Sequence, residues 1–445
     1  MTCINMSFGE RSKWEKREEF RLKNITDTPA VLVIATLDTK EEEAAYLCKV
    51  IEKNGLQTVL MDVGVLASPR RVKPGVSREE VALAVGASID ELIKTGNKGQ
   101  CIETMIMGAR KLARELYNRG KYVGVVGIGG AQGTNIATSV MRELPFGVPK
   151  FMVSTIACGM TTFGPFVGTR DIAMMHSVAD IQGVNILTSR VLQNAAGAIC
   201  GMVKEFISES SREERNGVVA MSMLGTTTVG ALRAKEILEG RGFQVVAFHQ
   251  NGTGGIAMEE LIQEGFFRGV LDINLHELAD WVVGGLHAAI KTFRLESASK
   301  MNLPQVIAPG SVDYSVQGPL DTLTSEMKKR KHVVHNPTLT LVRLSIDEMI
   351  MVARLLAGKI NKAKGPIKVF LPLKGFSYHN REGLELWDPE GNMVFIKTLK
   401  RNLTASIPVE EIDAHINDTQ FIDVVVRDFI EMLENLNKRR DASND

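Results

Sequence analysis

Two short segments of the sequence combine glycine, hydroxyl and ammonium groups, which proteins use to bind phosphate. The first is Gly127-Ile-Gly-Gly-Ala-Gln-Gly-Thr134. Its glycines would leave main-chain N–H groups open to a phosphate, and the N-terminus of a following helix would add about half a positive charge. The segment matches neither G-x-G-x-x-G nor G-x-x-x-x-G-K-[ST]. A tight turn that only packs the helix against its strand is therefore the alternative.

The second segment is Thr36-Leu-Asp-Thr-Lys40, which follows a short apolar run. As a binding site, the Lys40 ammonium would offset phosphate charge and the Thr39 hydroxyl would donate a hydrogen bond to the phosphate. The alternative is that Asp38 and Thr39 only cap a helix, with Glu42 completing a capping box, and that Lys40 is solvated. Because both segments end predicted strands, we expect them to meet at one edge of a parallel sheet.

Acid–base chemistry is a second possibility, and its candidate residues are dispersed along the chain. The candidates for acid, base and anion contacts are Asp171, His176, Asp272, His276, Lys374 and His379. Their spacing assigns no catalytic role to any one of them. No H-E-x-x-H spacing occurs, so the sequence predicts no fixed transition-metal site.

The elements that would position these residues follow an α/β pattern. The segment 31–36 reads as a strand, 40–54 as an amphipathic helix and 57–62 as the next strand, which implies a parallel sheet. Shifting the start of the second half by 187 residues places Leu37 on Leu224 and Gln57 on Gln244. We therefore predict two related α/β domains, each with a mostly parallel sheet flanked by helices.

Further predicted elements extend this pattern along the chain. The strands are 122–126, 149–154, 218–224, 242–248, 268–273, 305–308, 332–335 and 367–372, and the helices 77–95, 100–118, 187–207, 231–240, 345–360 and 420–438. The predicted organisation is a charged N-terminal extension over 1–27, a domain over 28–207, a polar linker over 208–216 and a second domain over 217–440.

Composition excludes several classes of protein. The chain has 445 residues, with 53 Lys and Arg against 52 Asp and Glu. This balance argues against a nucleic-acid partner. The five cysteines are widely spaced and form no C-x-x-C pair, which favours a reducing compartment. With no signal peptide and no predominantly apolar span of about 20 residues, we expect a cytoplasmic protein with no membrane partner.

Taken together, these motifs resemble the ATP-binding family of the tomato-mosaic-virus resistance protein, which has bacterial, fungal and plant members. The resemblance covers roughly residues 29–435. The segments that carry it are Ala35-Thr-Leu-Asp-Thr-Lys-Glu41, Gly127-Ile-Gly-Gly-Ala-Gln-Gly-Thr134, the run 154–185, Gly225-Thr-Thr-Thr228, His249-Gln-Asn-Gly-Thr-Gly-Gly255 and Ala308-Pro-Gly-Ser311.

The resemblance implies two Rossmann-like domains, a homodimer or higher homo-oligomer, and ATP with Mg²⁺ bound by the first domain. The implied nucleotide contacts are Thr36, Asp38, Thr39, Lys40, Gly129, Gly130, Gln132, Gly133 and Thr134. Two alternatives stay open at this point. One is a metabolic enzyme that acts on a small carboxylate or phosphorylated metabolite in a cleft between the domains. The other is an interaction module whose glycine loops serve subunit packing.

Overall fold

The structure is a computed structural model that describes residues 29–157, 166–208, 217–288 and 293–441. The described residues divide into two compact units, 29–208 and 217–441. The predicted N-terminal extension lies outside the described residues, and so does the predicted linker apart from Ser208. Both units are α/β, with parallel sheets flanked by helices, which confirms the predicted fold class.

The N-terminal unit contains one five-stranded parallel sheet in the order β2-β1-β3-β4-β5. Its elements are β1 (Ala30–Ala35), α1 (Leu37–Lys53), β2 (Gln57–Asp62), α2 (Arg78–Leu83), α3 (Ile89–Lys94), α4 (Lys98–Asn118), β3 (Gly124–Gly129), α5 (Ala131–Glu143), β4 (Lys150–Ser154), β5 (Ala173–His176) and α6 (Ile186–Ser208).

Strand β1 is apolar throughout because both of its faces are covered by helices. Leu32 and Ile34 belong to the core on one face of the sheet, and Val31 and Val33 to the core on the other. All six residues of β1 are buried. This two-sided packing fixes the strand register, and the register aligns the carboxyl ends of β1, β2 and β3 along one edge of the sheet.

The C-terminal unit contains a six-stranded parallel sheet in the order β14-β13-β9-β8-β6-β7 and a three-stranded antiparallel sheet in the order β10-β12-β11. Its elements are β6 (Val218–Met223), α7 (Thr228–Gly240), β7 (Gln244–His249), α8 (Gly254–Glu264), β8 (Val270–Asp272), α9 (His276–Val283), α10 (Ser297–Lys300), β9 (Gln305–Ile307), β10 (Tyr314–Gln317), α11 (Ser325–Lys329), β11 (His332–Asn336), β12 (Leu339–Arg343), α12 (Ile346–Ile360), β13 (Ile367–Pro372), α13 (Pro389–Asn402), β14 (Val409–Ile412) and α14 (Thr419–Asp441).

The internal repeat corresponds to repeated architecture. The shift of 187 residues carries β2 onto β7 residue for residue, from Gln57 on Gln244 to Asp62 on His249. In each unit the first strand lies between the second and the third, as β2-β1-β3 and β7-β6-β8. The two related halves inferred from the sequence are therefore visible in the sheet order.

Two local predictions were wrong. The single helix predicted over 77–95 is interrupted between α2 and α3, where Gly86 has a φ of +75°, in the left-handed region that ends helices. The predicted capping box of Thr39 and Glu42 does not form, because α1 already begins at Leu37 with Thr36 as its N-cap residue. Across the described part of the chain, none of the helices has the length and apolarity needed to cross a bilayer.

Candidate functional site

The carboxyl ends of β1 and β3 form the wall of a cavity of about 240 Å³ in the N-terminal unit. The cavity is lined by Thr36, Asp38, Thr39, Lys40, Leu66, Lys98, Gly130, Ala131, Gln132, Gly133 and Asp180. Seven of the nine residues expected to contact a nucleotide therefore lie around one cavity. The two segments singled out in the sequence converge because their strands are neighbours in the sheet.

The N-terminus of α5 forms one side of the cavity. Its N-cap residue is Gly130, which offers no side chain to cap the helix. The first N–H groups of an α-helix have no acceptor within the helix, so those of residues 131–133 can donate to a ligand. An anion at this position would also gain from the partial positive charge of the helix end.

The start of α1 forms the opposite side. The Thr36 carbonyl accepts hydrogen bonds from the N–H groups of Thr39 (3.1 Å) and Lys40 (2.9 Å), and the two threonine hydroxyls lie 3.1 Å apart. Lys40 has φ −131° and ψ 28°, so its backbone departs from the helix at this point. The segment 36–40 thus brings two hydroxyl groups and one ammonium group to the cavity.

Charged groups of both signs line the cavity, and they form no ion pairs with other described residues. Neither Lys40 nor Lys98 forms an ion pair or side-chain hydrogen bond with another described residue. The exposed carboxylate of Asp180 accepts no hydrogen bond within the described chain either. The cavity therefore offers two ammonium groups and one carboxylate for a ligand to bind.

The loop after β2 is held against α1 by carboxylates, and these contacts shape the rim of the cavity. Asp38 Oδ2 accepts hydrogen bonds from the N–H groups of Val65 (2.9 Å) and Leu66 (2.8 Å). Glu41 accepts from the backbone of Arg71 and Val72. Burial tends to raise the pKa of Glu41, but these N–H donors outweigh it and hold the pKa below its ordinary value. Asp38 therefore both lines the cavity and holds residues 65 and 66 at its rim.

Asp62, at the end of β2, is a residue that the sequence reasoning did not identify. Its Oδ1 accepts hydrogen bonds from the N–H groups of Leu37 (3.1 Å) and Gly64 (2.9 Å), so it ties the start of α1 to the β2 loop. Its Oδ2 is buried and has no hydrogen-bond partner among the described residues. Burial raises the pKa of Asp62 to about 6. A carboxylate at the end of a predicted strand, two residues before a glycine, was the available signal.

Gly129 and Thr134 lie behind the cavity wall and do not line it. A side-chain carbon on Gly129 would come within 2.8 Å of the Cα atom of Gly133, so both glycines permit the close approach of β3 and α5. Thr134 is fully buried and its hydroxyl lies 2.7 Å from the Ser154 hydroxyl. These residues therefore support the Gly127–Thr134 segment from behind the cavity.

Of the six acid–base candidates, two belong to the N-terminal unit and neither lines the cavity. Asp171 precedes β5, at the opposite edge of the sheet, and its carboxylate pairs with the buried ammonium of Lys150 at 2.7 Å. His176 ends β5 at the carboxyl edge, and its Nε2 lies 3.2 Å from the Thr155 carbonyl oxygen. Asp171 therefore has a structural partner, and His176 borders the loop after β4.

The other four candidates belong to the C-terminal unit and do not form one constellation. Asp272 is buried in β8, where its carboxylate accepts from Arg294 (2.5 Å) and Gln305 (2.8 Å). His276 begins α9 and is fully buried. Lys374 pairs with Asp413 at 2.9 Å, and His379 with Glu385 at 3.1 Å. Each is engaged locally, and His276 is the one that belongs to a cluster of possible ligands.

Comparisons with known proteins match both units. Models of the N-terminal and C-terminal domains of an uncharacterised protein family, UPF0261, match residues 29–208 and 216–433. A UPF0261 protein of Clostridium tetani is 40% identical over 405 residues, covering 91% of this chain and 99% of that protein. The ToMV resistance protein Tm-1 of Solanum lycopersicum is 32% identical over 427 residues, covering 92% of this chain and 56% of its own.

Similarity to a solved structure is weak. The UDP-GlcNAc 2-epimerase of Methanocaldococcus jannaschii, in complex with UDP-GlcNAc and UDP, aligns with a TM-score of 0.20 and 10% sequence identity. The alignment covers 63% of this chain and 83% of the epimerase. At that score it supports no inference about ligand or reaction.

Proposed function

The chain belongs to the UPF0261 family, and we propose that it binds a nucleoside triphosphate with Mg²⁺ in its N-terminal unit. ATP is the nucleotide that the family resemblance implies. The observation that carries the proposal is the single cavity in which the start of α1 faces the N-terminus of α5. The proposal concerns binding and names no reaction.

The groups around the cavity match the chemistry of a polyphosphate. The N–H groups of residues 131–133, which have no acceptor within α5, and the hydroxyl pair of Thr36 and Thr39 can donate hydrogen bonds to phosphate oxygens. Lys40 supplies a positive charge, and hydrogen bonds to charged groups contribute about 1.5–3 kcal/mol each. Within the described chain, no carboxylate competes for that ammonium group.

Mg²⁺ has a ligand in the same cavity. The ion prefers oxygen donors and is commonly held by one or two carboxylates together with the phosphates of the substrate. Asp180 presents such a carboxylate. Asp38 is less available, because its Oδ2 already accepts two main-chain hydrogen bonds.

The cavity is too small to enclose a whole nucleotide. A volume of about 240 Å³ lies below the range of about 300–1,000 Å³ that is usual for a whole drug-sized ligand. We therefore place the phosphates inside the cavity and the nucleoside beyond its rim. Affinity should depend mainly on the phosphate chain, so inorganic tripolyphosphate should compete with the nucleotide.

Isothermal titration calorimetry tests the proposal. Mg-ATP should bind the parent chain, and Lys40→Ala should weaken binding by about 10–100-fold, since it removes one charge-assisted contact. Lys49→Ala is the matched control, because Lys49 is exposed on the same helix and does not line the cavity. Its affinity should equal that of the parent. Equal affinities in all three proteins, or no heat of binding in the parent, would contradict the proposal.

A further inference from the structure

Three potential metal ligands lie together in the C-terminal unit, after the carboxyl end of β8. His276 and Asp280 are one helical turn apart on α9, and His287 follows the turn that ends this helix. One ligand atom from each lies within 4.8 Å of the other two. His276 and Asp280 are fully buried, and His287 is half-buried.

Each of the two imidazole rings has a buried nitrogen with no hydrogen-bond partner among the described residues. These atoms are Nε2 of His276 and Nδ1 of His287. Burying a polar atom without a hydrogen-bond partner is unfavourable, and most buried polar atoms in folded proteins are paired. Two of them on adjacent rings, next to a buried carboxylate, indicate a group that all three side chains bind together.

The surroundings of His276 fix the orientation of its ring. Its Nδ1 lies 3.2 Å from the Ser311 carbonyl oxygen, and the ring stacks on Tyr314 with centroids 4.6 Å apart. A carbonyl can only accept, so Nδ1 carries the proton and donates it to Ser311. Nε2 is then the ring nitrogen that faces the cluster, and metal-binding histidines usually hydrogen-bond their other nitrogen in this way.

Main-chain hydrogen bonds fix the orientation of the Asp280 carboxylate. Its Oδ1 accepts from the N–H of Val316 and its Oδ2 from the N–H of His287, each at 2.9 Å. The chain turns around this carboxylate at Gly285, where a side-chain carbon would come within 2.3 Å of Asp280. That glycine allows the chain to carry His287 back onto the carboxylate.

The spacing of the ligands suits a small metal ion. Nε2 of His276 and Oδ2 of Asp280 are 3.3 Å apart. Two donors of a tetrahedral zinc site with bonds of about 2.0–2.1 Å are separated by about 3.3–3.4 Å.

We propose that His276, Asp280 and His287 bind one divalent transition-metal ion, with Zn²⁺ as the ion favoured by two imidazoles and a carboxylate. Catalytic zinc sites commonly have three protein ligands and a fourth position for water or substrate. The carboxyl edge of a parallel sheet is also where α/β proteins collect ligands. This site is separate from the proposed nucleotide site and does not depend on it.

Zinc titration of the chelator-treated full-length chain tests the proposal. The parent should bind one Zn²⁺ per chain, and bound Zn²⁺ should raise its melting temperature. His287→Ala and Asp280→Asn should weaken Zn²⁺ binding by at least about tenfold, since losing a ligand costs no less than the loss of about 10–100-fold that follows from removing a supporting contact. His335→Ala, which removes an exposed histidine on β11, should bind as the parent does.

His287 is half-buried, whereas the other two ligands are fully buried, so the fold should tolerate its replacement best. Loss of Zn²⁺ binding in His287→Ala can therefore be distinguished from unfolding. Circular dichroism of His287→Ala should match that of the parent. Co²⁺ provides a second readout, since its visible spectrum reports nitrogen and oxygen ligation and should change in both ligand variants. A parent chain that binds no Zn²⁺, or a folded His287→Ala chain that binds it with parental affinity and the parental Co²⁺ spectrum, would overturn the proposal.

Discussion

Lys40 combines an unusual backbone conformation with a charge that no described residue neutralises. It occupies the first turn of α1, yet its φ and ψ lie outside the helical region. A solvated surface lysine in a regular helix needs no such departure. We therefore interpret the conformation as a consequence of holding the ammonium beside the N-terminus of α5, where an anion would bridge the two.

Asp180 allows the role of Mg²⁺ to be tested separately from that of the phosphates. If its carboxylate binds the ion, Asp180→Asn should reduce the affinity for ATP about tenfold when Mg²⁺ is present, equivalent to about 1.4 kcal/mol, and leave it unchanged in EDTA. Asp90→Asn is a matched control on an exposed helix position in the same unit. A loss of equal size with and without Mg²⁺ would rule out the metal role.

Asp62 should give the stability of the chain a component that depends on pH. Its pKa is about 6 in the folded chain, against an ordinary value of 3.8, because burial disfavours the carboxylate. The folded chain therefore holds the proton more tightly than the unfolded chain does. This contribution to stability is fully present below about pH 4 and is lost as the pH rises through about 6.

Replacing Asp62 by asparagine removes this component. When the pH rises from about 5 to about 7.5, the free energy of unfolding of the parent should fall by about 1 kcal/mol more than that of Asp62→Asn. Urea unfolding of both proteins at the two pH values measures the change. A difference between the proteins that does not vary with pH would show that Asp62 titrates normally.

Among the elements, the strand–turn–helix unit of β3 and α5 depends on close backbone contact. Gly129 and Gly133 leave no room for a side chain between them. By contrast, a side-chain carbon added at Gly197, exposed in the middle of α6, would meet no atom within 4 Å. Replacement by alanine should therefore have opposite effects at Gly129 and Gly197. Of these two positions, only Gly129 requires glycine for close packing.

Alanine at these two positions should change stability in opposite directions. Gly129→Ala should destabilise the chain by about 1–3 kcal/mol, as overpacking does, and should weaken nucleotide binding by displacing the N-terminus of α5. Gly197→Ala should stabilise it by about 0.5–1 kcal/mol through helix propensity, with no effect on binding. Thermal unfolding with and without Mg-ATP measures both. Equal shifts in melting temperature would contradict the close contact.

Sequence reasoning located the elements of the site better than the contacts between them. The apolar run of β1 and the glycines after β3 are local signals, and they led to seven residues of the cavity. The contact of Asp38 with Val65 joins residues 27 positions apart, and no local pattern encodes it. The acid–base candidates failed to converge for the same reason, since Asp272 was chosen by residue type and its partner Arg294 lies on a distant segment.

Two of the three proposed metal ligands had a local sequence signal that the H-E-x-x-H motif does not cover. His276 and Asp280 have the same i, i+4 spacing as the histidines of H-E-x-x-H, with aspartate in the second place. The third ligand, His287, lies beyond a turn of two glycines and could not be assigned from periodicity. Only the fold shows that this turn returns the chain to the helix.

For the whole molecule, the repeated sheet order suggests one architecture used for two kinds of ligand. Both units carry their candidate ligand groups at the carboxyl ends of the central strands, β1 and β3 in one and β8 in the other. The loops differ even though the strands correspond. The N-terminal unit places lysines there, and the C-terminal unit places buried histidines.

The mass of the protein in solution tests the expected self-association. Val178 and Ile186, between β5 and the start of α6, are 74% and 86% exposed, and large exposed apolar side chains favour an interface. We expect a mass of at least twice the 48.8 kDa of one chain by light scattering after size exclusion. Ile186→Glu should shift the population towards the monomer. A parent mass of one chain at all concentrations would contradict the expectation.

A crystal structure with Mg²⁺ and a non-hydrolysable ATP analogue tests the central claim most directly. The account predicts phosphate oxygens within hydrogen-bond distance of the N–H groups of residues 131–133 and of the Lys40 ammonium, with Mg²⁺ bound by Asp180. A nucleotide whose phosphates lie away from the start of α1 and the N-terminus of α5 would contradict it.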